Sequence, residues 1–399
     1  MRHICLVLLV LLVFCLFGCG GFGESNQAST HIIELQSSVL GEKRRLHLHL
    51  PKQYAESQQK YPVLFMTDGR ANLQHTIASV EFLSSQGLIP ELIIVGIETN
   101  QNRTHNLTPT YREDSFEVLP IDSAMLLNQD PGGAEAFLDF IADEVKPYVQ
   151  KHYRVSGYDV FAGHSFGGLF AVYSLVKQPD LFDAFIAISP SLWWDHQAWL
   201  GHLKSIPLNK LSDKSIFFAV GEEGPLMEDP YEQVKLYLNN QSVDGFKFSA
   251  KRFLGENHNS VVNQGMYFGL KSIFSDFALT LANTAQGEKK ILAHQKLVKG
   301  KYGVKQHLES QLEALAYDAL FEDKQQLSVS LFELILKREP STLSAYIGLA
   351  SIYAKQQNYK KAISVYERAL SQPKLAIGSR GHINHHIAEL EARLLKANL

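Results

Sequence analysis

The sequence predicts a doubly wound α/β domain with a mostly parallel sheet, followed by an all-α helical region. Two observations carry this. Between residues 30 and 282, strand-length apolar runs alternate with segments of helical periodicity, as in strands joined by crossover helices. From Thr284 onward no strand-like run remains and helix formers dominate. Composition permits a sizeable core: 399 residues, 45% hydrophobic and 20% charged, with a formal net charge of −3. That excludes a mainly disordered chain. So little net charge argues against a broad grip on nucleic acid. The three cysteines are Cys5, Cys15 and Cys19. A disulfide framework or a cysteine-ligated metal in the folded body is therefore not expected.

At the amino end, Arg2 and His3 precede an apolar run from Ile4 to Phe17. Such a run makes about 21 Å of helix, short of a ~30 Å hydrocarbon core. It has the length of an export signal rather than a membrane span. Leu16-Phe17-Gly18-Cys19 resembles the lipobox of bacterial lipoproteins. The resemblance implies a signal peptide over 1–18, a lipid on the Cys19 sulfur and a polar tether over 19–29. It places the protein at the bacterial cell envelope, facing periplasm or exterior. Two or three acyl chains would make that attachment nearly permanent.

His31–Leu40 and Lys43–Leu50 read as strands joined at Gly41. Leu46, Leu48 and Leu50 alternate with polar neighbours, the period of a half-buried strand. Val63–Thr67 and Leu92–Ile97 are short apolar runs suited to buried parallel strands, with a helix over Leu73–Gln86 between them. A helix over Glu135–Gln150 precedes a strand over Tyr158–Ala162 and a helix over Leu169–Lys177. Strands follow at Ala184–Ile188, Ser215–Val220 and Lys247–Phe253, with helices over Tyr231–Asn239 and Val261–Leu281. Ligand sites in such sheets lie beyond the carboxyl ends of the strands.

Directly after the Tyr158–Ala162 strand stands Gly163-His164-Ser165-Phe166-Gly167-Gly168. This is G-x-S-x-G in its strand–turn–helix setting. The turn leaves no room for flanking side chains and lifts Ser165 Oγ clear of the sheet. The helix amino terminus beyond it favours developing negative charge. Ser165 is the candidate nucleophile, and the Phe166 amide a candidate oxyanion donor. A serine hydroxyl needs a base. The loop after the last strand supplies His258, within Gly255-Glu256-Asn257-His258. His164 reads as structural. The acid is expected after the Ser215–Val220 strand, where Glu223 is preferred over Glu222 and Asp229, with a Ser–His dyad as the alternative. The second oxyanion donor belongs after Val63–Thr67, where Gly69 permits a close backbone approach and the Arg70 amide points inward.

With these residues placed, residues 30–282 resemble the Putative esterase family of α/β-hydrolases. That family includes enterobactin-type siderophore esterases, feruloyl esterases and the esterase D type of S-formylglutathione hydrolase. The matching pieces are Pro62-Val63-Leu64-Phe65 leading to Asp68-Gly69, Asn102-Arg103-Thr104-His105-Asn106-Leu107-Thr108-Pro109, the Ser165 elbow, Ser189-Pro190-Ser191-Leu192-Trp193-Trp194 and the His258 loop. The resemblance implies hydrolysis of a small-molecule carboxylic ester through an acyl-serine, without metal or organic cofactor. Its nearest likeness is to the siderophore branch. One departure is Gly224, which stands where the hydrolase pattern Gly-x-x-Asp has its acid. The same layout would serve an acyltransferase. A different class altogether is an envelope scaffold that recruits a protein partner.

The stretch from Glu98 to Gly133 has little regular pattern and is expected to cover the site. Arg103 is a candidate for binding a carboxylate or catecholate, with a loop salt bridge as the alternative. Trp193 and Trp194 are candidates for the walls of an acyl pocket, with packing as the alternative. Over residues 285–399, Tyr346, Leu349, Ala350, Tyr353, Ala362, Tyr366 and Ala369 resemble the tetratricopeptide pattern. Leu315, Ala316, Ala319, Phe332 and Pro340 form a degenerate second copy. Such repeats offer a groove for a protein partner. His382, His385 and His386 share one helix face, yet no metal is expected there because no acidic or cysteine ligand is paired with them in sequence.

Overall fold

A computed structural model of the chain describes residues 29–99, 102–110, 130–306, 308–373, 375 and 377–397. Cys19 and the lipobox lie outside these residues, as do 100–101 and 111–129 of the expected site-covering stretch. The strands are β1 (Ser29–Gln36), β2 (Lys43–Leu50), β3 (Tyr61–Thr67), β4 (Ile93–Ile97), β5 (Val155–His164), β6 (Ala184–Ile188), β7 (Ser215–Val220) and β8 (Lys247–Arg252). They form one sheet in the order β1-β2-β4-β3-β5-β6-β7-β8. β1 and β2 pair antiparallel, β2 meets β4 antiparallel, and every pair from β4 to β8 is parallel.

The pattern of burial follows from the sequence. β3, β4, β6 and β7 are buried throughout and apolar except for Thr67 at the end of β3 and Ser215 at the start of β7, because helices cover both faces. Phe65, Phe161 and Phe170 belong to one core, and Leu64, Val160 and Leu270 to the other. β3 has β4 on one side and β5 on the other. The chain therefore reverses its winding at β3, and the loops after β3 and β5 meet at the carboxyl edge.

Helices differ from expectation mostly at their starts. The first runs Gly69–Ser85, four residues ahead of its apolar stripe, so it begins at the expected oxyanion loop itself. Another runs Pro225–Asn239, opened by a proline whose fixed φ suits a first turn. The helix after the His258 loop ends at Ile273 rather than Leu281. Among the described residues, the helices Arg103–Leu107, Trp194–Lys204 and Leu281–Thr284 have no counterpart in the periodicity.

Beyond the sheet the chain is helical, as expected. The helices are Glu288–Tyr302, Glu309–Phe321, Gln325–Arg338, Leu343–Lys355, Tyr359–Leu370 and Ile377–Ala397. Tyr346, Leu349, Ala350, Tyr353, Ala362, Tyr366 and Ala369 are all buried between them. Gly348 lets the Phe332 ring approach so closely that a Cβ there would sit 2.3 Å from it. Among the described residues, no helix is long and apolar enough to cross a membrane.

Candidate active site

β5 ends at His164, and the chain turns into the Phe166–Lys177 helix through Ser165 at φ 61, ψ −118. That backbone is strained for any side-chain-bearing residue and is held only by close packing. The packing is visible: a Cβ on Gly163 would fall 2.0 Å from Gly167 O, and one on Gly167 2.2 Å from Thr67 Oγ1. Ser165 Oγ stands 3.4 Å from Ser191 Oγ.

His258 comes from the loop after β8, and its Nδ1 lies 2.5 Å from Glu223 Oε2. The Glu223 side chain is 2% exposed, against 37% for His258. Its other oxygen accepts from Ser189 Oγ at 2.5 Å and from the Gly221 amide at 2.7 Å. Burial works against charge on Glu223. The bonds from His258, Ser189 and Gly221 N–H outweigh it and hold the carboxyl below its ordinary value. An ionised Glu223 accepts the His258 Nδ1–H, which leaves Nε2 as the ring's basic nitrogen.

Glu222 points elsewhere and accepts the Gly255 amide at 2.8 Å, tying down the turn that carries His258. Asp229 is exposed on its helix. Of the three candidate acids, Glu223 is the one bonded to the histidine. His164 is packed beside the pair. Its Nε2 is 2.7 Å from His258 O, and the two rings are 4.7 Å apart. Burial, reinforced by the neighbouring His258, pushes the His164 imidazole down to about 4. Neutral His164 has one N–H to give, and this bond to the His258 carbonyl uses it.

On the β3 side, Asp68 adopts φ 55, ψ 38 and caps the helix that Gly69 and Arg70 open. Its carbonyl accepts the Ala71 and Asn72 amides. Gly69 is pressed onto β4, where a Cβ would lie 2.4 Å from the Gly96 backbone. Gly69 and Arg70 occupy a first helical turn, whose N–H groups have no intrahelical partner. A cleft of about 830 Å3 opens beside this turn, lined in part by Glu34, Arg45, Asp68, Arg70, Glu98 and Arg103.

At two places where the sequence leaves a binding and a structural role open, the geometry favours the structural one. Arg103 makes a two-point ion pair with Asp68 at 2.7 and 2.8 Å, so the fork a carboxylate or catecholate would use is already engaged. Trp194 is fully buried and Trp193 nearly so, both against the Phe166 ring. They pack the elbow helix rather than wall an open acyl pocket. Sequence reasoning also passed over Ser189 as a partner of the acid, although Ser189-Pro190-Ser191 directly follows β6, at a carboxyl end. Among the described residues, no group of three or more His, Cys, Asp or Glu is placed to hold a metal.

Residues 37–270 match the model of the family described as Putative esterase. The chain belongs to this family. It is a carboxylic ester hydrolase of the serine type. It is 27% identical over 259 residues to the ferri-bacillibactin esterase of Bacillus subtilis, covering 60% of this chain and 89% of that one. The crystal structure of an IroE-like serine hydrolase from Shewanella oneidensis matches with TM-score 0.63 and 29% identity, over 77% of this chain and 99% of that one. An uncharacterised protein from Capnocytophaga ochracea shares the fold over 91% of this chain and 100% of its own, with TM-score 0.59 and 17% identity.

Proposed function

We propose that this esterase hydrolyses siderophore-type esters through an acyl-serine on Ser165. The observation that carries the reading is the His258–Glu223 pair at 2.5 Å, packed against the strained Ser165 turn by the His164–His258 bond. Ser165 Oγ attacks the ester carbonyl carbon while His258 Nε2 takes the hydroxyl proton. The Phe166 and Arg70 amides donate to the oxyanion. His258 returns the proton to the departing alkoxide. Water then attacks the acyl-serine, giving its proton to His258, and the carboxylic acid leaves with Ser165 restored. Glu223 stays ionised and steadies the imidazolium.

The substrate class rests on the ferri-bacillibactin esterase likeness. The test supplies a catecholate trilactone, with and without iron, and follows ring-opened products by mass spectrometry. Native protein is expected to open the ring. Ser165→Ala is expected to lose turnover of both the trilactone and p-nitrophenyl acetate while keeping its fold. Trilactone cleavage by Ser165→Ala at the native rate would refute the mechanism. An unchanged trilactone beside cleaved p-nitrophenyl acetate would refute the substrate class alone. The lipobox-like Leu16-Phe17-Gly18-Cys19 supports lipid tethering at the cell envelope. A mature amino terminus lacking a diacylglyceryl Cys19 in mass spectrometry would rule that out.

A further inference from the structure

The Ile377–Ala397 helix carries a histidine pair that ester hydrolysis leaves unused. His382 and His386 are four residues apart, which puts them on one helix face. Their Nε2 atoms face each other at 3.0 Å, with the ring planes nearly perpendicular at 84°. His386 is held from two further sides. The Tyr366 ring stacks on it at 5.6 Å, with 11° between the planes. Glu389 Oε2 lies 3.3 Å from its Nδ1. The acid not expected beside these histidines is therefore present in the fold.

We propose that His382 and His386 bind one divalent late transition-metal ion, copper(II) before nickel(II), through their Nε2 atoms, with Glu389 orienting His386. The site shares no residue with the Ser165 machinery and does not depend on it.

An ionised carboxylate can only accept. Glu389 therefore fixes the His386 proton on Nδ1 and leaves the Nε2 lone pair aimed at His382. This carboxylate–histidine arrangement orients metal-ligating imidazoles and raises their basicity. Without an ion, His382 Nε2–H donates to that lone pair. A bound ion takes the place of the shared hydrogen, which moves through solvent to His382 Nδ1, so each imidazole stays neutral. The spacing selects the ion. Two nitrogens 3.0 Å apart, each roughly 2.05 Å from one ion, subtend about 94° there. Tetrahedral zinc would hold them about 3.35 Å apart. Right angles between neighbouring ligands belong to tetragonal copper(II) and nickel(II), and copper(II) stands higher in the affinity order of divalent ions. Two imidazoles leave the remaining positions to water. A cleft of about 240 Å3, lined in part by Tyr366, His386, Glu389 and Arg393, adjoins the pair and gives that water room. His385 is placed differently. Its Nε2 turns to Glu389 Oε1 at 3.6 Å.

The test titrates copper(II) chloride into the full chain and into His382→Gln, His386→Gln, Glu389→Ala and His385→Gln. Equilibrium dialysis counts bound ions, and electron paramagnetic resonance reads their ligands. Far-UV circular dichroism checks that each variant keeps its helices. The chain has 16 histidines, so the readout is the difference between proteins. The native chain is expected to bind one equivalent more than His382→Gln or His386→Gln. That equivalent gives a tetragonal spectrum coupled to two nitrogens. Glu389→Ala weakens the same site by about 10- to 100-fold, and His385→Gln binds as the native chain does. Equal binding by the native chain and both histidine variants would overturn the proposal, leaving adventitious surface copper only. Loss of the equivalent in His385→Gln would break the assignment to this pair. Native affinity in Glu389→Ala would remove its orienting role. Zinc that displaces the bound copper at equal concentration would refute the right-angle geometry.

Discussion

Glu223 and His164 flank the same imidazole and act on it through different atoms. Glu223 holds the ring at Nδ1, and His164 holds the carbonyl of the same residue. Glu223→Gln keeps the shape but removes the charge that stabilises the imidazolium. It is expected to lower kcat by about 10³ to 10⁴-fold, as when a triad acid is neutralised. Asp229→Asn, exposed and outside the site, is expected to leave kcat near native. Steady-state kinetics on p-nitrophenyl acetate decides between them, and equal effects would defeat the assignment. His164 makes a different prediction. Its folded value is about 4, against roughly 6.5 in an unfolded chain. Between these values the unfolded state binds the extra proton, so stability rises with pH there. The contribution is fully present above about pH 6.5 and is lost as pH falls toward 4. His164→Gln can keep a donor to the His258 carbonyl without titrating. Urea unfolding between pH 7 and 4.5 is expected to show a shallower acid loss in this variant than in the native protein. Parallel curves would exclude His164 as the source.

At the scale of elements, the legible parts are those whose physics is local. β2 announced itself because one face is buried, which leaves Leu46, Leu48 and Leu50 alternating with polar residues. β3 and β4 showed as unbroken apolar runs because both faces are covered. The elbow was readable because its sharp turn admits only glycine at 163 and 167. What stayed hidden depends on contacts far apart in sequence. Ser189 meets Glu223 across 34 residues, and Asp68 meets Arg103 across 35. No periodicity encodes either pairing. The Trp194–Lys204 helix was obscured for another reason. It opens through Asp195, His196 and Gln197, all at positive φ, a conformation that no local propensity favours. From the sequence, Trp193 and Trp194 read equally as pocket or core; in the fold both are buried against Phe166. A single π turn at Ile141–Val145 shifts the face of the Ala134–His152 segment, while the apolar stripe around it still reads as one helix.

At the scale of the whole molecule, the helical region and the sheet share a core. The Glu288–Tyr302 helix buries Tyr302 completely, with its ring 4.8 Å from Tyr158 on β5 and 5.2 Å from Phe274. The Tyr302 hydroxyl donates to Asp276, which also pairs with Lys247 at 2.7 Å and Lys301 at 3.1 Å. Burial opposes charge on Asp276, but the bonds from Lys247 and Tyr302 and the charge of Lys301 pull its carboxyl down to about 2. Lys247 lies on β8, the strand that leads into the His258 loop. The Glu288–Tyr302 helix thus braces the amino edge of the sheet, at the start of β8 and the early part of β5, through one aromatic ring and one carboxylate. Tyr302→Phe keeps the ring and removes one bond to a charged group, at a cost of about 1.5–3 kcal/mol. Tyr302→Ala also opens a cavity against Tyr158 and Phe274, for a total of about 3–5 kcal/mol. Urea unfolding followed by loss of esterase activity is expected to rank native above Phe above Ala. The ranking follows from Tyr302 belonging to the hydrolase core. If Tyr302→Ala lost activity at the native midpoint, Tyr302 would not belong to the core that keeps the site folded.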